Sequence, residues 1–177
     1  MRRSARDITM RVITAEKLPG EAPLPVADLA ILEQIRGQVH DRCLACGQSP
    51  WRLNFELEPE NTIVAKLRLD ETFCGYPETV HGGSLALFFD QMATCCMFAH
   101  GIEAVTARLQ VRFRQPVRPA VTAVLRARMK LVRRPRYEVR SWLEQEGEIK
   151  ADAVMDMWVR SSLTDNSPSS QKHSQDL

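Results

Sequence analysis

HGGSLALFFDQMATCCMFA, residues 81–99, is apolar nearly all round and rich in Ala, Leu and Met. That composition predicts a helix buried on every side rather than an amphipathic surface helix. Asp90 breaks the pattern, standing between Phe88-Phe89 and a run of Met, Ala and Cys. A bare carboxylate there costs several kcal/mol to bury, and no basic residue lies one helical turn away to pair with it. Either it caps or pairs locally, or it is a general base or nucleophile, and its apolar setting favours the chemical role. His81, Gly82 and Gly83 open the same helix, where free backbone N–H groups and the positive helix end can hold a developing oxyanion. Two glycines would equally permit a tight entry into a helix, so the pair gains meaning only beside Asp90.

Downstream, four strand-like segments near 104–114, 118–132, 136–146 and 149–160 are separated by Pro116, Pro119, Pro135 and Gly147. Upstream, 53–57 alternates at period two, Pro59-Glu60-Asn61 marks a turn and 63–69 resumes the alternation, which predicts a hairpin. Before it, Val26, Leu29, Ala30, Leu32, Ile35 and Val39 recur at helical spacing, predicting an amphipathic helix over 26–46 that ends before Gly47. A loop with Gly75, Tyr76 and Pro77 leads into the central helix. Strands on both sides of one long buried helix place the chain in the α+β class, an antiparallel sheet wrapped around that helix.

A chain of 177 residues, 44% hydrophobic and 26% charged, fits one domain. It is expected over 26–162, after a mobile arm over 1–25 with three prolines and before a Ser-rich, disordered tail over 163–177. A net charge of +2 is too weak for a dedicated nucleic-acid binder, although it suits a partner with a few phosphates. The Arg-rich start lacks an apolar targeting core, and the apolar stretch 84–99 is too short and too interrupted to span a bilayer. A cytoplasmic protein without a membrane span is therefore expected. The five cysteines read as reduced, buried small side chains.

Gly82 and Asp90 are eight residues apart, about 12 Å along a helix axis, so one helix cannot bring both to one carbonyl. Two such helices running antiparallel about a two-fold axis can set the amino end of one beside Asp90 of the other. The spacing thus implies a homodimer with two composite sites. Dimers of this kind commonly pair further, and a homotetramer is expected.

The segment GYPETVHGGSLALFFDQMATCCMF, 75–98, followed by VTARLQVRFRQPVRP, 105–119, resembles the core signature of PaaI-like hotdog-fold thioesterases, in the 4-hydroxybenzoyl-CoA thioesterase superfamily. The resemblance reaches upstream to CLACGQSPWRLNFEL, 43–57, and covers roughly residues 40–160. It implies a hotdog fold and hydrolysis of an acyl-CoA thioester to free acid and CoA, with no cofactor. By the same resemblance Gly82 supplies an oxyanion N–H, Asp90 is base or nucleophile, and Thr106 helps hold water, with His81 in support. Gly83 belongs to the same loop as part of the substrate site. Taken alone, Thr106 is an ordinary β-branched strand residue.

Arg108, Arg112 and Arg114 share a strand face by spacing, and Arg133, Arg134 and Arg136 cluster at the Pro135 turn. Arg112, Arg114 and Arg134 are candidates for CoA phosphates, although each would also suit the solvated outer face of a sheet. Phe88, Phe89, Met92, Met97 and Phe98 could line an acyl pocket or simply form core. Cys43-Leu44-Ala45-Cys46 is half of a zinc site, for which only His40 and Cys74 are further candidates; it reads as a helix-to-strand connection, and no metal is expected. Two other functions compete: an acyl-CoA-binding module without turnover, against which Asp90 and Thr106 argue, and a hotdog dehydratase or hydratase, whose different His-plus-acid arrangement is not found.

Overall fold

The computed structural model describes residues 24–47 and 50–160. All but the last two residues of the expected arm, and the whole expected tail, lie outside the described residues. The elements run α1 (Leu29–Val39), β1 (Phe55–Glu58), β2 (Thr62–Leu67), a short 3-10 turn (Glu71–Phe73), β3 (Cys74–Tyr76), β4 (Thr79–Val80), α2 (Gly82–Ala99), β5 (Ala104–Phe113), β6 (Ala123–Arg133), β7 (Arg136–Gln145) and β8 (Glu148–Val159).

Three boundaries depart from the expectations. Helix α1 is shorter than 26–46 because Asp28, in extended backbone, caps it by accepting from the Ala30 N–H at 2.7 Å. It stops at His40, after which the Cys43 and Gly47 amides bond back to the His40 and Cys43 carbonyls in successive turns. Strand β6 starts at Ala123 rather than 118, because Pro119 and Ala120, the latter at φ 56°, form a turn first. The loop around Gly75 contains the small β3–β4 hairpin.

The main sheet is antiparallel with strand order β1-β2-β6-β7-β8-β5, so β1 and β5 are its edges. Strand β7 buries Tyr137, Val139, Ser141, Leu143 and Gln145 on one face, the alternation that a half-covered antiparallel strand requires. Neighbouring strands add Ala123, Leu125 and Ala127 from β6 and Ala151, Ala153, Met155 and Met157 from β8. Helix α2 packs on β5, β6, β7 and β8, and α1 covers α2 from another side. Small alanines on the strands and Phe88, Phe89 and Met92 of the helix belong to one core cluster, so large and small groups can interdigitate. From Gln91 to His100 every residue of the helix and its cap is buried, as the apolar composition requires.

Phe89 is fully buried in that cluster. Phe89→Ala is expected to cost about 3–5 kcal/mol, read as a lower urea midpoint at unchanged slope. A loss below about 1 kcal/mol would mean that α2 is not the core element described.

Candidate active site

Asp90 sits mid-way along α2, half-buried, on the side of the helix that meets the edge strand β5. The Thr106 hydroxyl donates to its Oδ1 at 2.6 Å, and Thr106 also lies 3.5 Å from the Met157 sulfur. A hydroxyl donor and partial solvent access are what make a carboxylate tolerable beside the core. Thr94, one helical turn on, shares that side of the helix. A depression of about 500 Å³ opens there, lined by His40, Asp90, Thr94 and residues 104–109.

Thr106 reaches Asp90 through an irregularity in β5. The register with β8 pairs Thr106 with Met157 and Arg108 with Asp156, leaving Ala107 as a bulge. Inward positions therefore change parity, from Ala104 and Thr106 before the bulge to Leu109 and Val111 after it. Strict alternation would have put Thr106 on the same face as Arg108 and Arg112. The bulge turns Thr106 to the helix and leaves the arginines outside.

Histidine 40, the C-cap of α1, is the further pocket residue that the sequence reading had weighed only for metal. Its ring packs edge-on against Phe98 with centroids 5.1 Å apart. Burial, and then Arg160, hold the imidazole below its ordinary range, while Asp90 and Glu103 act in the opposite direction. Position alone could not have revealed this neighbour, because it depends on how α1 lies across α2. Gln91 had no sequence signal either: its Nε2 donates to the Ala45 carbonyl, fastening the turn after α1 to α2 beside Asp90.

His81, Gly82 and Gly83 stand at the other end of α2, away from the depression. His81 caps the helix, its Nδ1 accepting from the Gly83 N–H at 2.9 Å. Gly83 thus spends its amide on the cap. Among the described residues no hydrogen bond is made by the Gly82 N–H. A side chain at Gly82 would come 3.0 Å from the Phe113 ring, so the far end of β5 closes over this glycine.

None of Arg112, Arg114 and Arg134 lines the depression. Arg114 pairs with Asp152 on the outer face of the sheet, and Arg112 and Arg134 are exposed. Arg108 does border the depression while pairing with Asp156 at 2.8 Å. Arg136 joins the same carboxylate, and Arg126 bridges Glu58 and Glu144. These outer-face pairs each contribute about 1 kcal/mol or less. Phe88, Phe89, Met92, Met97 and Phe98 are all core. Burial pushes the Cys96 thiol up to about 12, and contact with Cys95 together with burial pushes Cys46 up further, so neither is a ready nucleophile.

Gln91→Leu removes the only donor that the described residues offer to the Ala45 carbonyl and is expected to cost about 1–3 kcal/mol in urea unfolding. An unchanged midpoint would show that the turn holds to α2 without it.

Residues 78–149 match the sequence profile of the Thioesterase superfamily, a span that takes in Gly82, Asp90 and Thr106. No curated protein matches the chain. Among solved structures, the Escherichia coli PaaI protein from the phenylacetic acid degradation operon aligns with TM-score 0.62 at 12% identity, covering 75% of this chain and 93% of that one. Mouse thioesterase superfamily member 2 aligns with TM-score 0.59 at 16% identity, over 74% and 93% of the two chains. A hypothetical thioesterase of Streptococcus pneumoniae, solved with coenzyme A, aligns with TM-score 0.58 at 15% identity over 62% and 90%. Other structures of that protein carry an Asp→Ala or a Thr→Ala change, at positions sixteen apart, the separation of Asp90 and Thr106 here. Residues 78–149 are thus similar to the Thioesterase superfamily, and the chain carries the α+β hotdog fold.

Proposed function

We propose that this protein is an acyl-CoA thioesterase whose two equivalent sites each combine Asp90 of one subunit with the Gly82 N–H of the other. The observation that carries this reading is the Asp90–Thr106 pair at 2.6 Å on the wall of an open depression along an unpaired sheet edge. A carboxylate held by a hydroxyl in this way can take a proton from water as the water attacks the thioester carbon, or can attack that carbon itself. In either route the carbonyl oxygen gains negative charge, which an N–H at a helix start can meet, and the thiol of CoA leaves with a proton. Thr106 keeps Asp90 oriented and can share its hydroxyl with the water.

Within one chain Asp90 lies at the Thr106 end of β5 and Gly82 at the Phe113 end. If two copies of β5 pair antiparallel about a two-fold axis near their middle, the Phe113 end of one meets the Thr106 end of the other. Strand β5 suits such pairing: among the described residues it is a ten-residue edge of the sheet with half-exposed Val105 and Phe113. The likeness to a structure holding coenzyme A supports CoA as the carrier. Two such dimers are proposed to pair into the expected homotetramer. Localisation in the cytoplasm stays a proposal; among the described residues no helix is long and apolar enough to cross a membrane.

Thiol release from short, medium, long and aromatic acyl-CoA esters tests the reaction. Asp90→Asn is expected to lower it by about 100-fold or more, and Thr106→Val by about tenfold, with circular dichroism unchanged. Full turnover in Asp90→Asn would exclude the assignment, and tight acyl-CoA binding without any release by wild type would favour the binding-module reading.

Gly82→Pro tests the shared site, since proline suits the first helical position but has no N–H, and His81 at ψ 134° accepts a following proline. Gly82→Pro and Asp90→Asn should each be inactive alone. Co-expressed, they should recover about a quarter of wild-type activity, because half the dimers then hold one intact site. No recovery in verified mixed dimers would place both groups of a site in one subunit.

A further inference from the structure

The turn after α1 carries His40, Cys43 and Cys46, each three residues from the next, and none of them is needed for the proposed hydrolysis. The fold gathers one ring nitrogen of His40 and the two sulfurs within 4.8 Å of one another. Ligands bound to a tetrahedral zinc stand about 3.8 Å apart for sulfur at about 2.3 Å from the metal, about 1 Å closer than that limit. Cys74, the other candidate by spacing, does not join them.

Several features give the cluster a built character. A side chain at Gly47 would come 2.3 Å from the Asp41 carbonyl oxygen and 2.8 Å from that of Cys43, so the turn closes only with glycine directly after Cys46. Gln91 fastens this turn to α2 at Ala45. One turn further along α2, on the same face as Gln91, stands the fully buried Cys95, which like Cys74 lies outside the group of three. Among the described residues the buried His40 Nδ1 has no hydrogen-bond partner.

We infer that His40, Cys43 and Cys46 bind one zinc-class divalent cation, with water in the fourth position. A neutral imidazole and two thiolates around a doubly charged ion leave the site without net charge. The two thiol protons leave to solvent on binding. Such an ion closes the turn before β1 that Gln91 holds against α2 next to Asp90. It also fixes His40, which forms part of the wall of the Asp90 depression.

The test uses the full chain, stripped of metal and kept reduced with a phosphine, and titrates it with cobalt(II). Wild type is expected to develop thiolate-to-cobalt charge-transfer absorption and the visible bands of tetrahedral cobalt, saturating at one equivalent and abolished by excess zinc. Cys43→Ser and Cys46→Ser should lose these bands, and Cys74→Ser should behave as wild type. Zinc should also raise the melting temperature of wild type and of Cys74→Ser but not of Cys43→Ser. Folded wild type that gives no charge-transfer band, or a band that survives Cys43→Ser and Cys46→Ser, overturns the site.

Discussion

An 18-residue helix that is apolar on nearly every side has to be covered from several directions at once, and the architecture follows from how α2 achieves this. One face is taken by four strands of the antiparallel sheet and another by α1 with the turn that follows it. Strands β5 to β8 contribute small alanines and the helix large phenylalanines to one core cluster. The carboxylate of Asp90 survives in this setting because it lies where cover is incomplete, at the edge strand. The apolar demand of the helix and the polar exception within it are thus two sides of one packing arrangement.

Edge position and chemistry are linked through β5. A regular strand would place Thr106 and the arginines on one face and leave Asp90 without its hydroxyl partner. The bulge at Ala107 breaks that alternation by one residue, so a single strand offers a threonine to the helix and arginines to the opposite face. On that opposite face acidic residues from neighbouring strands meet the basic ones, as in Arg108 and Arg136 on Asp156 or Arg114 on Asp152. This pairing accounts for much of the positive charge along β5 without invoking a ligand.

The segment between α1 and β1 is the part of the fold whose features exceed what packing requires. A close-fitting glycine, a glutamine clamp, a buried arginine and two thiols with a histidine converge in this segment. A plain connection between a helix and a strand has no need of these groups, and their convergence gives the wall of the depression a rigid backing.

The α+β class, the buried helix, the hairpin before it and four strands after it could all be read from hydrophobic period, because burial acts on each segment through its own residues. Asp90 was equally legible, since a lone acid in an apolar run conflicts with local burial whatever lies around it. Tertiary structure alone decided which residues complete that acid's surroundings. The Thr106 hydroxyl reaches it only because the pairing of β5 with β8 shifts register, a property of two strands 51 residues apart at that contact. His40 borders it only because α1 crosses α2, and the turn after α1 meets the helix through Gln91. Such contacts depend on the relative placement of separate elements, and periodicity within one element carries no record of that placement.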